Sequence, residues 1–111
     1  MRIDLARALQ TFLTEARDLL QALDTHLIAL ESDPGDREAV AALFRAVHTI
    51  KGSAGMFGMA PIVEFSHIVE NLLDEVRAGR LQANPALTGL LFDCGDHLAG
   101  LVETVAARSE D

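Results

Sequence analysis

The sequence has no tryptophan and no tyrosine, a single cysteine and three prolines among its 111 residues. The lone Cys94 excludes an internal disulfide and fits a reducing compartment, so a cytoplasmic location is expected. No run approaches the roughly 18 consecutive apolar residues of a membrane span. Acidic Asp4, close to Met1, does not suit a secretory signal peptide, and Met1 reads as a natural start. Basic residues are also scarce, with nine Lys and Arg against 17 Asp and Glu and a formal net charge of -8. That balance leaves no basic groove for a nucleic-acid backbone and repels anionic lipid, so neither nucleic acid nor membrane is expected as a partner.

What the chain does have is aliphatic bulk. Hydrophobic residues make up 50% of it while aromatics make up 5%, and Ala and Leu are abundant, a mixture that favours helices packed on helices. The length suits one domain, expected over residues 1–111. From about Ile3, the residues Leu5, Leu9, Phe12, Ala16, Leu19, Leu23 and Leu30 recur at spacings that predict a long amphipathic helix over about 3–31, flanked by Leu13, Leu20 and Leu27. Ser32-Asp-Pro-Gly-Asp36 breaks it, and Asp36 can cap a second helix over about 36–57. Pro61 suits the first turn of a third helix over about 61–78, ended by Gly79. Asn84-Pro85 opens a fourth over about 85–107, with a stripe of Leu87, Leu91, Cys94, Leu98, Leu101 and Val105. No strand pattern competes. The expected fold is all-α, an antiparallel four-helix bundle.

The second helix contains Phe44-Arg-Ala-Val-His48-Thr-Ile-Lys51-Gly52-Ser-Ala-Gly55-Met-Phe-Gly58. Leu43, Val47, Ile50, Ala54 and Phe57 form its apolar stripe, and His48 falls off that stripe. On its face lie Phe44 one turn before, Lys51 and Gly52 one turn after, and Gly55 two turns after. Glycine inside a helix costs about 1 kcal/mol relative to alanine, so helix stability alone would not select Gly52 and Gly55. Small neighbours let a bulky partner approach the imidazole, and a cation one turn away can neutralise an anion delivered there. The combination suits phosphoryl chemistry. Each residue also has a plain structural reading: a surface histidine, glycines that permit close helix packing, a solvated lysine.

In the third helix, Phe65, Val69, Leu72 and Val76 are the expected core stripe, while His67 and Glu70 share an adjacent face. If that edge faces the second helix, Glu70 or His67 could accept a hydrogen bond from Nδ1–H of His48, which leaves the lone pair on Nε2. The alternative is an ordinary exposed pair. Phe44, Met56 and Phe57 are candidates for a partner surface, with buried packing the simpler assignment for Phe57. Cys94 reads as a small core residue, and His26 and His97 as ordinary helix residues.

His48-x-x-Lys51-Gly52 on one helix, followed by His67-x-x-Glu70-Asn71 on the next, resembles the histidine phosphotransfer domains at the N-terminus of CheA-type chemotaxis kinases. The resemblance covers essentially the whole chain in helix order and loop positions. It implies that His48 is phosphorylated, that Lys51 sits beside the phosphoryl group, that Glu70 orients or activates the imidazole, that His67 joins the same hydrogen-bond network and that Gly52 keeps the approach open. It further implies a phosphoryl group received from the ATP-binding domain of a CheA-type kinase and passed to an aspartate of a response regulator of the CheY or CheB type. The chain has no P-loop or other glycine-rich nucleotide cradle, so it reads as relay rather than kinase, binding no cofactor itself, with ATP and Mg²⁺ supplied through its partners. The isolated domain is expected to be monomeric. Domains of this kind often carry a further helix, for which a chain ending at Glu110-Asp111 leaves no room.

Two readings from other classes compete. A metal-binding bundle would use Glu-x-x-His motifs, but Glu64-x-x-His67 occurs once and Cys94 and His97 have no matching partner helix. A purely structural bundle predicts that His48 is replaceable without functional loss.

Overall fold

The structure is a computed structural model that describes residues 4–109. Four helices run in sequence: α1 Leu5–Ser32, α2 Arg37–Met56, α3 Ala60–Arg77 and α4 Pro85–Ser109. No strand occurs among the described residues. Ile3, the expected start of the first helix, lies outside them, and so do Glu110 and Asp111.

Local chemistry sets the ends of these helices. Asp4, Asp36 and Asn84 each accept a backbone N–H three residues on, from Arg7 at 3.0 Å, Ala39 at 3.0 Å and Leu87 at 2.9 Å, satisfying donors that an N-terminus leaves unpaired. Pro61 occupies the first turn of α3, where its missing N–H costs nothing. Past α2 and α3 the chain turns at Gly58 and Gly79, whose φ angles of 66° and 78° lie in the left-handed region that favours glycine.

Helices adjacent in sequence are adjacent in space, and α1 against α4 closes an antiparallel ring 48 Å long. The contact between α2 and α3 is the most extensive and that between α3 and α4 the least. No helix among the described residues is long and apolar enough to cross a membrane.

The core departs from the expected stripes in ways that helix rotation explains. In α1, Leu13 and Leu27 are fully buried alongside Phe12, Ala16, Leu23 and Leu30, whereas Leu5, the first residue of the helix, is exposed. In α3 the buried face is Ile62, Ser66, Val69, Glu70 and Leu73, and Phe65, Leu72 and Val76 are only partly covered. The reason is the dominance of the α2 contact, which turns the Ser66–Glu70 side inward and leaves the α4 side open. In α4 the buried face includes Gly95, Val102 and Ala106, while Cys94, Leu101 and Val105 are partly covered. A Cβ on Gly95 would stand 2.9 Å from Leu23 Cδ2, so the missing side chain lets α1 and α4 close together, with Gly95 facing α1 and Cys94 at the border of the core.

Candidate functional site

The α2–α3 seam holds the one buried carboxylate among the described residues. Glu70 is 4% exposed, and two side chains from α2 converge on it. His48 Nδ1 lies 2.5 Å from Oε2, and Lys51 Nζ lies 2.6 Å from Oε1. The spacing of three along α2 carries both residues over the same point on α3. The His48 side chain nevertheless stays 62% exposed, so its outer edge faces solvent while its inner nitrogen is held.

Charge settles the direction of the hydrogen bond. Burial alone would push the Glu70 carboxyl up, but hydrogen bonds from Lys51 and His48, with the Lys51 charge behind them, outweigh it and hold the carboxyl below its ordinary range. An ionised carboxylate can only accept. Nδ1 of His48 therefore donates its proton to Glu70, and in the neutral ring the lone pair sits on Nε2. The short contact is charge-assisted, and the pairing offsets the cost of burying the carboxylate.

His67, on the same face of α3, does not complete this network. Its Nδ1 is 3.8 Å from Glu70 Oε1, beyond hydrogen-bonding distance, and its side chain is mostly exposed. His67 thus stands near the carboxylate, on the side of the oxygen that Lys51 contacts, without hydrogen-bonding to it. Sequence spacing gave both Lys51 and Glu70 a place beside His48 but held no sign that they pair with each other.

Around the imidazole, the two expected glycines differ. A Cβ on Gly52 would meet nothing within 4 Å, so the surface there is bare backbone open to solvent. One on Gly55 would touch Val63 Cγ2 at 3.9 Å, an ordinary contact, which places Gly55 toward the start of α3. Phe44, one turn before His48, lies nearly parallel to the imidazole, with ring centroids 5.9 Å apart and planes 10° apart. Arg77 from α3 places its guanidinium carbon 4.3 Å from the centre of the Phe44 ring. Arg77 lies on another helix, and no local pattern in the sequence signals that contact. Met56 is 87% exposed at the end of α2, while Phe57 is half-buried against Phe12 at 5.7 Å.

The remaining candidates lie elsewhere. His97 packs edge-on to Phe65 at 4.4 Å. Among the described residues, no three or more His, Cys, Asp or Glu side chains converge closely enough to hold a metal ion, so Glu64, His67, Cys94 and His97 supply no ligand set.

A buried carboxylate that fixes an exposed imidazole on a helical bundle can be compared with known proteins. The family described as the Hpt domain matches residues 7–108. The chemotaxis protein CheA of Salmonella typhimurium is 42% identical over 96 residues, which cover 86% of this chain and 14% of that protein. The chain thus spans a small part of the curated relative it matches. Among solved structures, the CheA phosphotransferase domain from Thermotoga maritima superposes with a TM-score of 0.86 at 31% identity, covering 94% of this chain and 99% of that one. The phosphorylated P1 domain of CheA3, in complex with CheY6 from R. sphaeroides, gives 0.85 at 26% identity, covering 93% and 80%. With helix order, bundle topology and nearly its full length in agreement, this chain belongs to the histidine phosphotransfer (Hpt) domain family.

Proposed function

We propose that residues 1–111 form a single phosphotransfer domain of a CheA-type chemotaxis kinase, working in the cytoplasm, in which His48 carries the phosphoryl group. The observation that supports this most directly is the 2.5 Å contact from His48 Nδ1 to buried Glu70, on a ring whose other edge is open to solvent.

Nε2 attacks the γ-phosphorus of ATP held by the kinase catalytic domain. The Nε2–P bond forms as the bond to the β-phosphate oxygen breaks, and ADP leaves. The ring becomes positively charged in this step, and Glu70, already ionised beside Nδ1–H, stabilises that charge without having to move. Lys51 uses one of its three donors on Glu70 and keeps others for a phosphoryl oxygen on Nε2. His67, exposed nearby, borders the same approach. In the second half-reaction an aspartate oxygen of a response regulator of the CheY or CheB type attacks phosphorus, and the Nε2–P electron pair returns to the ring. The complex of the related CheA3 domain with CheY6 is the precedent for such a partner. ATP and Mg²⁺ come with the partners, and the relay works as a monomer. Phosphoryl transfer asks mainly for positioning and charge neutralisation, and the open backbone at Gly52 lets both partners reach Nε2.

The test is a pulse and chase. The chain is incubated with Mg²⁺, radiolabelled ATP and a CheA catalytic core, purified, then mixed with a response regulator. Label should enter the wild type and move to the regulator, and His48→Gln should take up none. Equal labelling of His48→Gln would remove His48 from the relay.

A further inference from the structure

Two points define the direction in which a ring nitrogen faces, and the Glu70 hydrogen bond supplies one. An imidazole tethered through Nδ1 alone can still swing about that contact. The second restraint lies on the face of the ring. Phe44 stands one turn earlier on α2 with its plane within 10° of the imidazole plane, and at 5.9 Å between centroids the two nearly parallel rings are stacked with a wide offset, so that Phe44 flanks the imidazole on that side. Phe44 is itself held. Arg77 caps its ring at 4.3 Å, and the Arg77 guanidinium is anchored by a hydrogen bond to Asp74 one turn back on α3. Toward the next turn of α2, where Gly52 stands, nothing occupies the space a side chain would fill.

We propose that Phe44, braced by Arg77 and Asp74, is a positioning residue that fixes the plane of the His48 ring and so the direction of its Nε2 lone pair; this rests on the relay reading above. It gives Phe44 a role before any partner arrives, distinct from a docking contact. The brace also links α3 to α2 beside the reacting ring at a point separate from Glu70, so the imidazole is held directly by Glu70 across the helix pair and flanked within α2 by a ring that is itself braced from α3.

A small donor separates positioning from docking. Phosphoramidate transfers its phosphoryl group without a protein partner: the Nε2–P bond forms as the donor P–N bond breaks and ammonia leaves. Phe44→Leu keeps apolar bulk and removes the parallel ring. It should slow uptake from phosphoramidate and from the kinase core alike, by about fivefold to tenfold, because small misplacements of a reacting atom cost rate steeply. Phe44→Tyr should restore uptake to within about twofold, since the ring is kept. In NMR spectra, the His48 side-chain couplings should report one rotamer in the wild type and averaging in Phe44→Leu. Wild-type uptake from phosphoramidate by Phe44→Leu, or unaltered His48 couplings, would overturn the proposal. If Phe44→Leu unfolds, Arg77→Met removes the brace from an exposed position and should give the same averaging in weaker form; unchanged couplings there would overturn it too. No uptake by the wild type from either donor would sink the relay reading, while the couplings would still decide whether Phe44 sets the ring.

Discussion

Gly52 is a residue whose local cost and chemical use oppose each other. It sits inside α2 with open space where a side chain would be, so Gly52→Ala should raise stability by about 1 kcal/mol. On the relay reading the same methyl crowds the approach to His48, and transfer should slow. Gly100 in α4 is the control, also open and helical but remote from the site: Gly100→Ala should stabilise comparably and leave transfer unchanged. Thermal melts and transfer rates of the two variants check this, and equal rates would mean that Gly52 does not serve access. Glu70→Gln keeps the shape of the side chain and loses its charge, and should slow phosphorylation by about tenfold or more while the bundle stays folded. A melt establishes the second point, and an unchanged rate would take Glu70 out of the mechanism. At this scale the sequence was informative about residue types. His48, Lys51 and Gly52 could be grouped on one face of α2 from spacing, and His67 with Glu70 on one face of α3, because i, i+3 and i, i+4 neighbours share a helical face, while spacing left open which of that pair meets His48. The position of His67 at 3.8 Å and the Arg77 contact with Phe44 could not, since both depend on the rotation of α3 against α2.

Within elements, the helix ends were legible and the faces less so. Asp36 and Asn84 cap as their positions before Arg37 and Pro85 suggest, because capping needs only a side-chain oxygen near local N–H groups. The faces of α3 and α4 depend on partners that a single helix does not encode. Ser66 illustrates the difference. It lies at 0% exposure, and its Oγ has no hydrogen-bond partner, on a face where periodicity had placed Phe65 instead. Ser66→Ala removes an unpaired buried hydroxyl at little cost in volume and should leave stability unchanged or raise it by about 1 kcal/mol, as a denaturant titration would show. A loss exceeding about 1 kcal/mol would mean that the hydroxyl is satisfied in solution. In α4, burial and then the neighbouring Asp93 charge push the Cys94 thiol up, so little thiolate is present at neutral pH. Its reaction with a disulfide reagent at pH 7.5 should be markedly slower than that of an unfolded control, and equal rates would contradict the partial burial of Cys94.

For the whole molecule, the bundle and the site share one interaction, since Glu70 ties α2 to α3 at their most extensive contact. A carboxyl held below its ordinary value of 4.5 lends stability that is fully present above that pH and fades as pH falls through the lower folded value. Wild type should therefore exceed Glu70→Gln in thermal midpoint at pH 7, with the difference shrinking below pH 4.5; a constant difference would show that the ion pairs do not carry it. The relay itself rests on one atom. The most direct measurement is long-range ¹H–¹⁵N NMR of the histidine rings after phosphorylation by a CheA catalytic core with ATP and Mg²⁺. The phosphoryl group is expected on Nε2 of His48, with Nδ1 still protonated against Glu70. A phosphoryl group on Nδ1, or on His67, would contradict it.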